Sequence, residues 1–487
     1  MLHITSLPGK YGIGTMGREA HEFVDFLVAS GQKLWQILPL GHTGYGDSPY
    51  QCFSAFAGNP LIIDLEKLVE LNLLKPGDLP DETDFPIHET DYGQVFRYKY
   101  RLLEKAHEAF GRKGSTDLKK HYDTFVAANS SWLDDYSLFM ALKGHHDGKP
   151  WPLWSKQIRL RKPEAIERYR LHLAKEIGFY CFLQFLFYHQ WLELKSYANL
   201  NNIKIIGDLP LYVALDSADA WANPENFDFD KNMKPRSIAG VPPDYFSETG
   251  QLWGNPIYDW KYLKEHNFSW WVERIKANFL LYDILRIDHF RGLAAYWSIP
   301  YGEKTAIKGK WIDAPGREML QTVYDQLGQM PIIAENLGVI TPDVEEMREA
   351  FGMPGMKILQ FAFDSGEDNE FIPHTYDKNS VVYTGTHDNN TTLGWYRESS
   401  EQDRQNLHDY FCFDEDDPAW SFIRLAWSTV SDFAIAPMQD ILRLEAEARM
   451  NFPGKAAGYW KWRYPSDMLT ARHAEDLKKL TKIYGRL

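Results

Sequence analysis

Residues 284–288 read Ile-Leu-Arg-Ile-Asp, a short apolar run that ends on a carboxylate. Two more runs end the same way: IIAE (332–335) and VVYTGTHD (381–388). A strand that delivers an acid at its C-terminal end is how an α/β barrel presents catalytic groups, because its active site is assembled from several strand ends. Asp288, Glu335 and Asp388 can therefore converge on one cavity. Two of them can serve as nucleophile and proton donor while the third grips substrate, which suits cleavage of a glycosidic bond.

Working outward, further apolar runs complete an ordered set. They are LHITS (2–6), KLWQILPL (33–40), IKIIGD (203–208), MKILQFAF (356–363), SVVYT (380–384) and FAIAP (433–437). With the runs ending at Asp288 and Glu335 this makes eight strands. Helical spacing recurs between them, as in Phe23, Phe26 and Leu27 of segment 17–30, and again over 467–484. The pattern predicts an α/β fold, a (β/α)8 TIM barrel. Residues 41–202 and 209–283 predict large, mostly helical insertions after strands 2 and 3. The first holds an acidic, Pro-rich stretch (76–92) and helices near 95–110 and 164–198. No C-terminal β-domain is expected after strand 8. We read 1–487 as one catalytic barrel, with insertion subdomains at about 45–165 and about 209–280 walling a substrate groove on the active-site face.

Composition narrows the function classes. The 487 residues, 44% apolar and 25% charged, suit an ordinary folded protein with a sizeable core. The apolar stretch 179–188 is broken by Gln184 and reads as a buried helix rather than a membrane span. There are 53 basic and 67 acidic residues, a net charge of −14, which argues against nucleic acid and anionic membranes as partners. Cys52, Cys181 and Cys412 are few and far apart, so neither a disulfide framework nor a structural zinc site is expected. The first residues show no basic segment leading into an apolar one, so the expected location is the cytoplasm. Seventeen Trp can stack on sugars, although core packing explains them as well.

Each candidate has a functional and a structural reading. Arg286 and Asp288 share a strand face, so the arginine is expected to hold Asp288 ionised as a nucleophile; the alternative is a structural ion pair. Glu335, at an apolar edge, can have a raised pKa and donate a proton, or it can cap the next helix. Asp388 with His387 can bind vicinal hydroxyls, or serve as an N-cap. Asp208 adds a fourth carboxylate for sugar hydroxyls. Four acids also raise the alternative of Mg²⁺ or Ca²⁺, which Arg286 among them disfavours. Tyr45 and Tyr50 in GYGDSPYQ (44–51) can stack on sugars or anchor a turn. The Gly- and Pro-rich loop 240–256 predicts a mobile lid carrying Tyr245, Phe246 and Trp253.

These motifs, together with TSLPG (5–9), SAFAGNP (54–60), IIGDLPLYV (205–213), RIDHFRG (286–292), IIAENLG (332–338), TGTHDNNT (384–391) and EARMNFPG (447–454), resemble glycoside hydrolase family 77 in order and over nearly the whole length. That family comprises the amylomaltases, or 4-α-glucanotransferases. The resemblance implies a retaining mechanism: Asp288 attacks C1, Glu335 protonates the leaving oxygen and then activates an acceptor 4-hydroxyl, and Asp388 binds the distorted sugar. It places Tyr50, Asp208, Arg286 and His387 around the same sugar, and Tyr45, Ser48, Asp244, Gln251, Trp253 and Asp364 along the groove or acceptor side. It implies α-1,4-glucans and glucose as partners, and neither a metal nor an organic cofactor. A retaining pair of carboxyl groups is expected roughly 5 to 5.5 Å apart.

The chain departs from the family pattern in three places. Only Met1 and Leu2 precede the HITSLPG segment, so strand 1 is expected to be short. Lys455 stands where Thr is usual and Arg443 where a small residue is usual, which bears on acceptor-side contacts. Two alternatives remain: an amylase-like hydrolase using the same acids, and a non-catalytic glucan-binding protein.

Overall fold

The computed structural model describes residues 1–44, 46–80, 84–243, 247–455 and 457–487. Its strands are β1 (Leu34–Gln36), β2 (Lys204–Leu209), β3 (Ser237–Val241), β4 (Gln251–Pro256), β5 (Ile284–Ile287), β6 (Ala295–Pro300), β7 (Lys310–Asp313), β8 (Ile332–Ala334), β9 (Gly355–Ile358), β10 (Ser380–Tyr383) and β11 (Phe433–Ile435). Seven of them form one sheet in the order β1-β2-β5-β8-β9-β10-β11, parallel at every pairing.

The ring closes through Met1 and Leu2. Leu2 N–H donates to Gln36 O at 2.9 Å on one side. On the other side the Met1 amine donates to Ala436 O at 2.6 Å and Met438 N–H donates to Met1 O at 2.9 Å. The expected strand 2–6 is thus reduced to its start, and Ile4–Ser6 is a 3-10 turn. Thr5 and Ser6 are turn formers ahead of Pro8, and Thr5 O is taken by Gly14 N–H rather than by a neighbouring strand. Strands expected at 33–40 and 356–363 are also shorter. Pro39 has no N–H for a ladder, and after β9 the chain winds into a 3-10 turn over Leu359–Phe361.

Side chains inside the ring lie in layers, as alternation along each strand requires. Ile206, Ile284, Ile333, Met356, Ile358, Val381, Tyr383 and Ile435 form one buried cluster. The next inward positions toward the C-terminal end are Asp208, Arg286 and Glu335, and beyond Arg286 comes Asp288. The lower ring is therefore a packed apolar plug, and the acids sit on top of it.

The insertion between β1 and β2 is helical. Helices Tyr92–Lys113, Thr116–His145 and Ala174–Leu200 dominate it, and Phe182 to Tyr188 are buried. The long helix 174–200 fixes the loop that carries Tyr50. Gln184 accepts from Gly58 N–H at 2.8 Å and donates to Gly58 O at 2.9 Å. A Cβ at Gly58 would fall 2.1 Å from the Phe187 ring, so the loop and helix meet only with glycine there.

A second, unexpected sheet lies beside the barrel strands. Strands β4-β3-β6-β7 pair antiparallel and flank β5 in the chain. Both ends of the expected lid loop 240–256 are consequently strand: β3 and β4 form a hairpin, and Trp253 rides on β4. Gly254 at φ 80° and a register shift between Ile238 and Gly240 absorb the irregularity that made this stretch look like loop. Tyr245 and Phe246 lie outside the described residues.

Candidate active site

Arg286 organises the polar layer. It is the register partner of Asp208 across β2 and β5. Its Nη1 lies 2.7 and 2.6 Å from the two Asp208 oxygens and 3.1 Å from Asp288 Oδ1. Its Nε points to Met356 Sδ at 3.3 Å. Arg286 is 4% exposed and Asp208 1%. One cation is therefore shared by two carboxylates, with Asp208 holding the closer contact. Tyr50 Oη donates to Asp208 Oδ2 at 2.7 Å and so joins the network from the first insertion.

Asp288 and Glu335 are linked through the residue between their elements. His289 takes the left-handed conformation, φ 54° and ψ 46°, which turns the chain sharply after Asp288. Its backbone N–H then donates to Glu335 Oε2 at 2.6 Å. Glu335 is no helix cap, since the next helix, Pro342–Ala350, begins after Thr341.

Burial raises the pKa of both acids. For Asp288, Arg286 opposes the rise while Asp208 and Asp388 add to it. For Glu335, Arg286 again opposes, and the Asp288 charge adds. Arg286 lies beside Asp288 as expected, but burial outweighs it, so the Asp288 pKa rises rather than falls. Asp288 touches the guanidinium and Glu335 does not, so a single proton shared by the pair resides on Glu335.

Asp388 approaches from β10. Its side chain is 46% exposed, and its Oδ1 accepts from Asn451 Nδ2 at 2.6 Å. Arg449 Nη2 donates to Asp388 O at 2.5 Å. His387 Nε2 lies 3.5 Å from Asp388 Oδ2. The His387 ring stacks on Tyr50 with centroids 5.1 Å apart, and Trp460 packs against both. Burial lowers the His387 pKa, so at neutral pH the imidazole is uncharged. Asp388 is not an N-cap either, because helix Thr392–Glu398 is capped by Thr391.

Other expected residues fall in different places. Trp253 meets the His289 ring edge-on at 4.8 Å, and its Nε1 donates to Gln251 Oε1 at 3.1 Å, which brings that pair beside the acids. Ser48 shapes the Tyr50 loop by accepting from Tyr50 N–H at 3.3 Å. Asp364 is exposed and braces its own loop through Ser365 and Asn369. Tyr45 and Asp244 lie outside the described residues. Asn451, Arg449, Met356 and Trp460 also belong to the site, although none was expected there. Asn451 and Arg449 stood inside the EARMNFPG motif, whose contact with Asp388 spans the chain and leaves no local signal.

A closed α/β barrel with acids gathered at its strand ends defines a class of barrel enzymes whose chemistry sits on that face. A family model described as 4-alpha-glucanotransferase matches residues 2–470. A 4-alpha-glucanotransferase of Clostridium butyricum is 50% identical over 490 residues, covering 100% of both chains. One from Thermus thermophilus is 46% identical and covers 100% of this chain and 98% of its own. Among solved structures, an amylomaltase from Streptococcus agalactiae in complex with acarbose has a TM-score of 0.97 at 43% identity, covering 100% of this chain and 98% of that one. The chain belongs to the 4-alpha-glucanotransferase family.

Proposed function

We propose that the protein moves α-1,4-glucan segments from a donor to the 4-hydroxyl of an acceptor glucan or glucose by retaining double displacement. Asp288 attacks C1 of the donor sugar as the bond to the leaving oxygen breaks. Glu335 gives its proton to that oxygen. The acceptor hydroxyl then returns a proton to Glu335 while its oxygen displaces Asp288 from C1. Asp388 holds hydroxyls of the distorted sugar, and Tyr50, Asp208, Arg286 and His387 surround it. The observation that carries this reading is the asymmetry of the pair: Asp288 contacts Arg286 at 3.1 Å, while burial raises the pKa of Glu335 and favours its protonated form.

Substrates in this reading are maltooligosaccharides, amylose and the dextrins of glycogen or starch, handled in the cytoplasm. Residues 1–487 act as one catalytic unit, and insertions at about 45–165 and about 209–280 wall the groove. Ser48, Gln251, Trp253 and Asp364 serve as groove or acceptor-side residues.

Incubation with maltotriose tests the proposal. Glucose plus a ladder of longer maltodextrins is the expected product set. Glucose and maltose without longer products means that water takes the intermediate, as in a hydrolase. Asp288→Ala abolishes either activity, and full activity in that variant removes Asp288 as nucleophile.

A further inference from the structure

Asp440 is a buried acid that the mechanism above does not use. It lies in the short helix Met438–Ile441 that follows β11, and it is 1% exposed. Its Oδ2 accepts from Thr384 Oγ1 at 2.5 Å and from Thr392 Oγ1 at 2.8 Å. Its Oδ1 accepts from Thr392 N–H at 2.8 Å. Both threonines are fully buried. They are the two ends of the segment 384–392, whose middle carries His387 and Asp388. Gln360, after β9, braces the same segment by donating to Asn390 O at 3.0 Å.

We infer that Asp440 is a positioning residue for Asp388: it clamps both ends of the 384–392 loop and so sets where the Asp388 carboxylate meets the sugar. Hydrogen bonds to a buried carboxyl group are costly to leave unmade. Two hydroxyls and one backbone N–H converge on this acid and tie two points of the loop to a third element, the helix after β11. Asn451 and Arg449 hold Asp388 itself, whereas Asp440 holds the two ends of its loop. Without that hold, Asp388 keeps its Asn451 contact but its loop is free to shift relative to Asp288 and Glu335. The inference rests on the reading of Asp388 given above.

The test is steady-state transfer from maltotriose, followed as glucose release, for Asp440→Ala, Asp388→Asn and the double variant. Asp440→Ala is expected to lower kcat about 10- to 100-fold, the size of effect a displacement of about 1 Å produces. KM is expected to change by less than about threefold, and the double variant is no slower than Asp388→Asn alone, because residues acting as one unit are non-additive. Wild-type kcat in Asp440→Ala overturns the inference, and so do losses that multiply in the double variant. A wild-type rate in Asp388→Asn instead sinks the reading of Asp388, whatever Asp440→Ala does. If Asp440→Ala does not fold, Thr384→Val and Thr384→Ser decide. A kcat loss in the valine variant that the serine variant restores supports the clamp, and an unchanged valine variant overturns it.

Discussion

Arg286 and Asp208 are register partners on adjacent parallel strands, and the guanidinium Nη1 sits 2.6 and 2.7 Å from the two carboxylate oxygens. Because the same nitrogen also reaches Asp288, the pair sets both the charge and the position of the proposed nucleophile. Lysine ends in a single ammonium on a differently shaped stem and lacks the Nε–H that meets Met356 Sδ, so it cannot reproduce this placement. Arg286→Lys is expected to lower kcat for maltotriose by at least about tenfold, while Arg286→Ala also loses about 3–5 kcal/mol of stability from the orphaned buried Asp208. Thermal melts and transfer kinetics check both parts. An alanine variant as stable as wild type contradicts the network.

The proton distribution predicts a bell-shaped pH profile. Asp288 must be ionised and Glu335 protonated for attack. Burial raises both groups above the ordinary carboxylate range, Asp288 to about 7 and Glu335 to about 8. The acid limb of kcat/KM therefore lies well above pH 4, and the alkaline limb reports Glu335. With a donor whose leaving group needs no protonation, Glu335→Gln is expected to keep the acid limb of the first step and lose the alkaline one. An alkaline limb that survives in Glu335→Gln belongs to another group.

Stability follows the same groups with a definite sign. A carboxyl whose folded pKa is raised binds more protons folded than unfolded. Its favourable contribution is complete below the unfolded value, about 4, and is lost as pH rises through the folded value. Glu335→Gln is uncharged at all pH. Its melting temperature is expected to exceed that of wild type at pH 8, with the gap closing toward pH 4. A constant gap across that range argues against burial as the cause.

Asn451 reaches Asp388 from far along the chain, at 2.6 Å. Asn451→Ala removes the only amide that this side chain offers, and is expected to cut kcat about 10- to 100-fold by letting Asp388 shift. Asn451→Asp sets a like charge against Asp388 and is expected to be worse still at neutral pH. Steady-state kinetics of the two variants check the order.

Trp253 on β4 covers the His289 edge next to the acids. Trp253→Ala opens that side to solvent and is expected to raise the share of the intermediate taken by water. The ratio of hydrolysis products to the maltodextrin ladder measures this, and an unchanged ratio assigns water exclusion elsewhere.

The barrel was legible because several strand ends carry their own local mark. Arg286 and Asp288 share a strand face, IIAE ends on Glu335, and VVY leads to Asp388. What escaped the sequence depended on contacts between distant segments. The β3–β4 ladder turned the ends of a Gly- and Pro-rich stretch into strand, and β6 extends that sheet from further along the chain. The division of Arg286 between two acids follows from the β2–β5 register, which no single strand displays. Asn451 and Asp440 act on a loop more than 40 residues away in the chain, so neither has a periodicity or motif to announce it.

The closure of the ring by Met1 and Leu2 joins positions 435 apart in sequence. During synthesis that seam waits until residues 433–438 have left the ribosome, and pairings of such long range are the slow ones to form. Asp288, Arg286 and Asp208 are already threaded by then, whereas the groups that hold Asp388 come from the same late segment as the seam. Structural completion and catalytic completion are thus one late event. A nascent or C-terminally trimmed chain is expected to display its nucleophile in a half-built ring, unable to turn over sugar until its last stretch docks.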